Sequence, residues 1–107
     1  MATVRKTLVA ANDNIELDIP TDKGAVAGVE YGAGGLGTIE LQGRLHPLGA
    51  WFTIQLQKPD GTAAALNLAL AGVGYADVSY CDRVRVNKTV AGAGGVDVDF
   101  TLNTKAS

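Results

Sequence analysis

The sequence predicts an all-β chain, an antiparallel β-sandwich or jelly roll of about eight short strands. Three observations predict it. Apolar and polar residues alternate with period two in stretch after stretch, the mark of strands buried on one side. Turn chemistry built from Asn, Asp, Gly and Pro recurs roughly every ten residues, the spacing of short antiparallel strands. No strand-like stretch alternates with an amphipathic helical one, so a parallel α/β sheet is not expected.

Residues 3–10 alternate loosely and predict a first strand, with residues 1–7 a possible N-terminal arm. Asn12-Asp13-Asn14 is turn chemistry. Ile15, Leu17 and Ile19 alternate with Glu16 and Asp18 in a strand ended by Pro20. Residues 24–37 carry six glycines (GAVAGVEYGAGGLG) and read as a long functional or mobile loop, with Tyr31 its only large side chain. Ile39 and Leu41 resume the alternation, and GRLHPLG makes a turn holding Arg44, His46 and Pro47. Phe52, Ile54 and Leu56 alternate with Trp51, Thr53, Gln55 and Gln57, which predicts a central strand. Pro59-Asp60-Gly61-Thr62 is a turn, since proline presets φ and glycine accepts positive φ. Residues 63–71 favour a strand over a helix because Leu66, Leu68 and Leu70 sit two apart. Tyr75, Asp77 and Ser79 alternate in the next strand.

The clearest alternation lies in residues 82–102, DRVRVNKTVAGAGGVDVDFTL. It predicts a hairpin in which Arg85 faces Asp97, Arg83 faces Asp99, Val86 faces Val96 and Val84 faces Val98. Residues 103–107 form a short polar tail, and residues 1–107 make a single domain.

Composition excludes several classes. The chain is 47% hydrophobic and 19% charged, too apolar for a disordered tail. Nine basic against eleven acidic residues leave no positive field for nucleic acid. Cys81 is the single cysteine, so no intrachain disulfide forms. The N-terminal apolar run, residues 8–11, is too short for a signal peptide or membrane span, which predicts a chain made and folded in a cytoplasm.

No chemistry is legible. Residues 32–37 match G-x-G-x-x-G, but the next residues read as a strand where a dinucleotide site needs a helix, so no cofactor is expected. His46, the only histidine, reads as a turn residue, and Cys81 as a packed thiol. Asp77, Asp82, Asp97 and Asp99 lack the spacing of a calcium loop and read as a charge ladder, so no metal is expected. Asn87-Lys88-Thr89 is formally a glycosylation acceptor but reads as the start of a loop. Trp51 lies on the face opposite Phe52, Ile54 and Leu56, and is either core or an exposed aromatic.

The run GTIELQGR, WFTIQL, PDGT, GVGY, DRVRV and VDVDF, across residues 37–102, resembles small all-β virion proteins of tailed bacteriophages. These include capsid decoration proteins and head or tail accessory subunits. The resemblance implies a non-enzymatic, cofactor-free structural protein of the virion that docks on and stabilises the head shell. Its implied partners are the major capsid protein or other virion subunits, with neither nucleic acid nor membrane, and it implies a homo-oligomer, a trimer above other states. The contacts expected from exposure and loop length are Thr3, Arg5 and Lys6, the loop around Tyr31, and the turn with Arg44 and His46. A second class, a carbohydrate-binding module or tail-tip adhesin for surface glycans, would use Trp51 or Tyr31 as a stacking platform. Whether either aromatic lines a concave polar groove discriminates the two.

Overall fold

The structure, a computed structural model, describes residues 2–9, 13–20, 24–32, 39–63, 72–88 and 96–104. Eight strands make up the described residues: β1 (Ala2–Leu8), β2 (Asn14–Asp18), β3 (Ala25–Tyr31), β4 (Ile39–Arg44), β5 (Phe52–Ile54), β6 (Gly72–Asp77), β7 (Arg83–Lys88) and β8 (Val96–Thr104). They form two four-stranded sheets, β1-β8-β3-β6 (sheet A) and β2-β7-β4-β5 (sheet B). All pairings are antiparallel, and strands 1 and 8, 2 and 7, 3 and 6, 4 and 5 each lie side by side. That nesting is the jelly-roll arrangement of a β-sandwich.

The core is what the period-two pattern requires. Val29, Val96, Val98, Phe100 and Leu102 of sheet A meet Ile15, Ile39, Leu41, Ile54, Val84 and Val86 of sheet B, all buried. Two glycines are there because backbone and neighbour approach closely. A Cβ on Gly74 would lie 2.9 Å from Leu56 Cβ, and one on Gly43 would lie 2.7 Å from both Cys81 Sγ and Ile54 Cδ1.

The expected β7–β8 hairpin does not form. β7 lies in sheet B between β2 and β4, and β8 lies in sheet A between β1 and β3. Alternating valines with charges outside will accept any partner of complementary polarity in register, and other complements exist. Asp18 faces Arg83 and Glu16 faces Arg85 from β2, while Arg5 faces Asp99 and Thr7 faces Asp97 from β1. The rule of apolar in and opposite charges paired is kept; the partners differ.

Three further expectations are corrected. The glycine-rich loop begins as β3, an inner strand of sheet A. Ala25, Ala27 and Val29 point inward, an alternation muted by small side chains. Residues 33–38 lie outside the described residues. The strand expected from WFTIQL is an edge strand, Phe52–Ile54, after which Gln57 crosses to pair with Tyr75 of sheet A. The N-terminal stretch is strand from Ala2 onward, registered on β8, and β8 itself continues through Asn103 and Thr104 into the expected tail. The strand expected over residues 63–71 falls outside the described residues from position 64. The turn at Pro59–Thr62 forms as expected: Gly61 has φ +89°, and Asp60 accepts from the Thr62 amide at 3.0 Å and hydroxyl at 2.6 Å.

Candidate functional site

The expected contact residues separate into two surfaces. Thr3, Arg5 and Tyr31 belong to sheet A. Arg44, His46 and Trp51 belong to the β4–β5 end of sheet B.

The outer face of sheet A is assembled by strand register. Arg5, Asp99, Glu30 and Val73 form one row across β1, β8, β3 and β6. Thr7 and Asp97 form the next row, and Gly32, whose N–H donates to Asp97 O at 2.9 Å, continues it. Gly32 has no side chain there, which leaves an open groove of about 570 Å³ walled by Arg5, Glu30, Tyr31, Val73, Asp97 and Asp99. Arg5 clamps Asp99 through Nε (2.6 Å) and Nη2 (3.1 Å). That pair raises the Arg5 pKa and holds the Asp99 carboxyl below its ordinary value. Thr7 donates its hydroxyl to Asp97 at 2.6 Å. Burial pushes the Tyr31 phenol upward. The wall is thus three carboxylates against one guanidinium, with the Tyr31 ring and Val73 as its apolar parts.

The second surface is an interlocked network. The Trp51 ring has the Arg85 guanidinium 4.2 Å and the Arg44 guanidinium 5.3 Å from its centroid. Arg44 pairs with Asp82 at 2.9 Å, and Arg85 donates to Gln42 Oε1 at 2.7 Å. Desolvation lowers the Arg85 pKa. Trp51 is half-buried beneath these groups, so its π-face is already engaged by cations. His46 sits in the exposed turn beside Leu45 and Leu48, the latter 94% exposed. Close by in the fold, Phe52 stacks on Tyr80 at 6.3 Å.

The residues weighed for chemistry do not meet. Cys81 is buried, and burial together with Asp82 pushes its thiol up to about 11. Ser79 gives its hydroxyl to Asp77 at 2.6 Å. The four aspartates have separate partners: Asp82 on Arg44, Asp99 on Arg5, Asp97 on Thr7 and Asp77 on Ser79. Among the described residues no three His, Cys, Asp or Glu side chains group as a metal site. Asn87 is buried in β7, unlike a glycosylation acceptor.

Glu30 was missed by sequence reasoning because it lay in a stretch read as a loop, and Val73 because it fell between Gly72 and Gly74, just past the strand expected over residues 63–71. The period-two signal that could have found Glu30 was Ala25, Ala27 and Val29 beside it. Arg85 over Trp51 had no signal, since the two are far apart in sequence.

No protein-family model matches the sequence, and no curated protein matches it. Among solved structures, the crystal structure of SPBc2 prophage-derived protein YomS shares the fold, with a TM-score of 0.71 at 11% identity, over 97% of this chain and 94% of that one. At that identity the likeness establishes a common fold.

Proposed function

We propose that this chain is a non-enzymatic structural subunit of a phage virion, a decoration protein that docks on the head shell through the outer face of sheet A. The observation that carries the reading is the fold shared almost end to end with a prophage-derived protein. The jelly roll is itself a recurrent architecture of capsid proteins. The groove over Gly32 is the docking surface in this reading, its acidic wall suited to a basic segment of the major capsid protein.

Co-sedimentation with tailed-phage heads lacking their decoration subunit tests this. The proposal expects saturable binding in fixed proportion to the shell lattice. Protein that stays in the supernatant at every ratio would end the decoration reading.

A second reading, sugar binding, is favoured by one observation: Tyr31 forms part of the wall of a polar groove, whereas Trp51 is covered by two arginines. Binding on a glycan array that Tyr31→Ala abolishes and Trp51→Ala leaves intact would support it. An array blank for the wild type would remove it.

A further inference from the structure

The two flanks of the sandwich differ. On one, the edge of β6 is closed, because Tyr75 exchanges both backbone hydrogen bonds with Gln57, at 2.8 and 2.9 Å. On the other, the edge strands are β1 of sheet A and β2 of sheet B. No further strand covers them among the described residues.

Which backbone groups these edges present follows from alternation in antiparallel ladders. The Gly32–Asp97 bond directs the backbone groups of Asp97, Asp99 and Thr101 to β3. Those of Val96, Val98, Phe100 and Leu102 therefore serve β1, and meet Leu8, Lys6, Val4 and Ala2. Thr3, Arg5 and Thr7 consequently turn their N–H and C=O groups away from β8, out to the flank. For β2, the bonds Lys88 N–H to Asp13 O and Ile19 N–H to Asp82 O, both 2.9 Å, set the same alternation. Ile15 and Leu17 serve β7, and Asn14, Glu16 and Asp18 turn their backbone groups to the flank.

β1 and β2 run in opposite directions and lie level with each other, since Lys6 Nζ reaches Asn14 O at 3.2 Å across the gap. A twofold axis parallel to the strands would therefore set β1 of one copy against β2 of another, antiparallel, without sliding either. We propose that this flank docks against the same flank of a second copy of the chain, β1 of each pairing with β2 of the other. The dimer contains two continuous eight-stranded sheets. The register is Thr3 against Asp18, Arg5 against Glu16 and Thr7 against Asn14, with Val4 and Leu17 of the inner faces together.

Charge selects this arrangement over the alternative twofold. Pairing β1 with β1 and β2 with β2 would bring Arg5 and Lys6 together and Glu16 and Asp18 together, which is unfavourable on both edges. The β1–β2 pairing extends the central cross-strand row in alternating sign: Asp99 and Arg5 of one copy continue into Glu16 and Arg85 of the other. Two elements oppose it: Lys6 occupies the Asn14 carbonyl, and Glu16 is already held by Arg83 at 3.0 Å; an edge lysine of this kind discourages indiscriminate pairing. It leaves the backbone groups of Glu16 and Asp18 for the partner. The arrangement is twofold, where the sequence resemblance implies a trimer. It stands independently of shell binding.

Sedimentation equilibrium over a concentration series reads the mass directly. The wild type is expected to reach twice the chain mass. Arg5→Glu alone and Glu16→Arg alone are each expected to weaken association about tenfold, since each homodimer then holds two like-charge contacts. An equimolar mixture of the two variants is expected to recover the wild-type mass, because both contacts are again of opposite sign. Under oxidation, Thr3→Cys mixed with Asp18→Cys is expected to give a heterodisulfide, with Cys81 buried and bystanding. A monomer throughout, a mass other than the dimer, no recovery on mixing, or a Thr3→Cys homodisulfide in place of the mixed one would each overturn the proposal.

Discussion

The outer faces of the two sheets use the same ingredients, arginines and carboxylates set two residues apart, to opposite ends. On sheet B they are interlocked. Arg83 holds Asp18 at 2.7 Å and Glu16 at 3.0 Å, Arg85 and Arg44 cover Trp51, and Glu40 accepts from Thr53 at 3.0 Å. On sheet A the Arg5 side chain is 83% exposed at an edge, and Glu30 borders a groove left open by Gly32. The difference teaches where to look for partners. Arg5, held by Asp99, and Glu16, held by Arg83, are paired to neighbouring strands yet lie at the open flank, whereas Arg44 and Arg85 are enclosed over Trp51.

Substitutions on the two sheets should separate these roles, beginning with the largest effect. Gly43→Val places carbon where Cys81 Sγ and Ile54 Cδ1 already stand, and should cost about 1–3 kcal/mol or more in urea unfolding. Gly28→Ala on the outer face of sheet A has its nearest neighbour at 3.9 Å, and should leave stability equal or raise it by up to about 1 kcal/mol. Comparable losses at both positions would break the contrast.

Trp51→Ala removes the ring under two guanidinium groups and should cost about 1–2 kcal/mol, with Arg85 gaining solvent exposure. Arg44→Ala, which removes a pair only 19% and 25% exposed, should cost about 1 kcal/mol. Arg5→Ala, by contrast, should leave the monomer's melting temperature unchanged. A larger loss for Arg5 than for Arg44 would reverse the assignment of the two faces.

The smallest effect under ordinary conditions is alkaline. The Cys81 thiol is raised in the folded protein from 9.0 to about 11, chiefly by burial. The folded state therefore holds a proton that the unfolded chain has released, and stability falls as pH rises from about 9 toward 11. Melting curves across that window should show the decline, and Cys81→Ala should flatten it.

The sequence reading succeeded where inward residues were large. Ile15 with Leu17, Ile39 with Leu41, and the valines of β7 and β8 gave strands in their places, and with them the sandwich. It failed on β3, where Ala25, Ala27 and Gly28 do a strand's work without its usual bulk. It failed on pairing because opposite charge and period two are local properties, whereas the choice of partner is made by the whole sandwich. Arg83 could face Asp99 or Asp18 equally well on paper. The candidate contacts were found by expected exposure and loop length, which cannot tell the exposed Arg5 from the enclosed Arg44. Trp51 was left undecided for the same reason: its cover comes from Arg85, which is distant in sequence and adjacent in space.

The measurement that bears most directly on the assignment of a working face is shell co-sedimentation of Glu30→Lys beside Glu40→Lys, each first confirmed as folded. Glu30 borders the sheet A groove, and Glu40 accepts from Gln42 and Thr53 on sheet B. The account predicts that Glu30→Lys releases the protein from undecorated heads while Glu40→Lys remains bound at the wild-type proportion. Retention of Glu30→Lys with loss of Glu40→Lys would contradict it and place the docking surface on the other sheet.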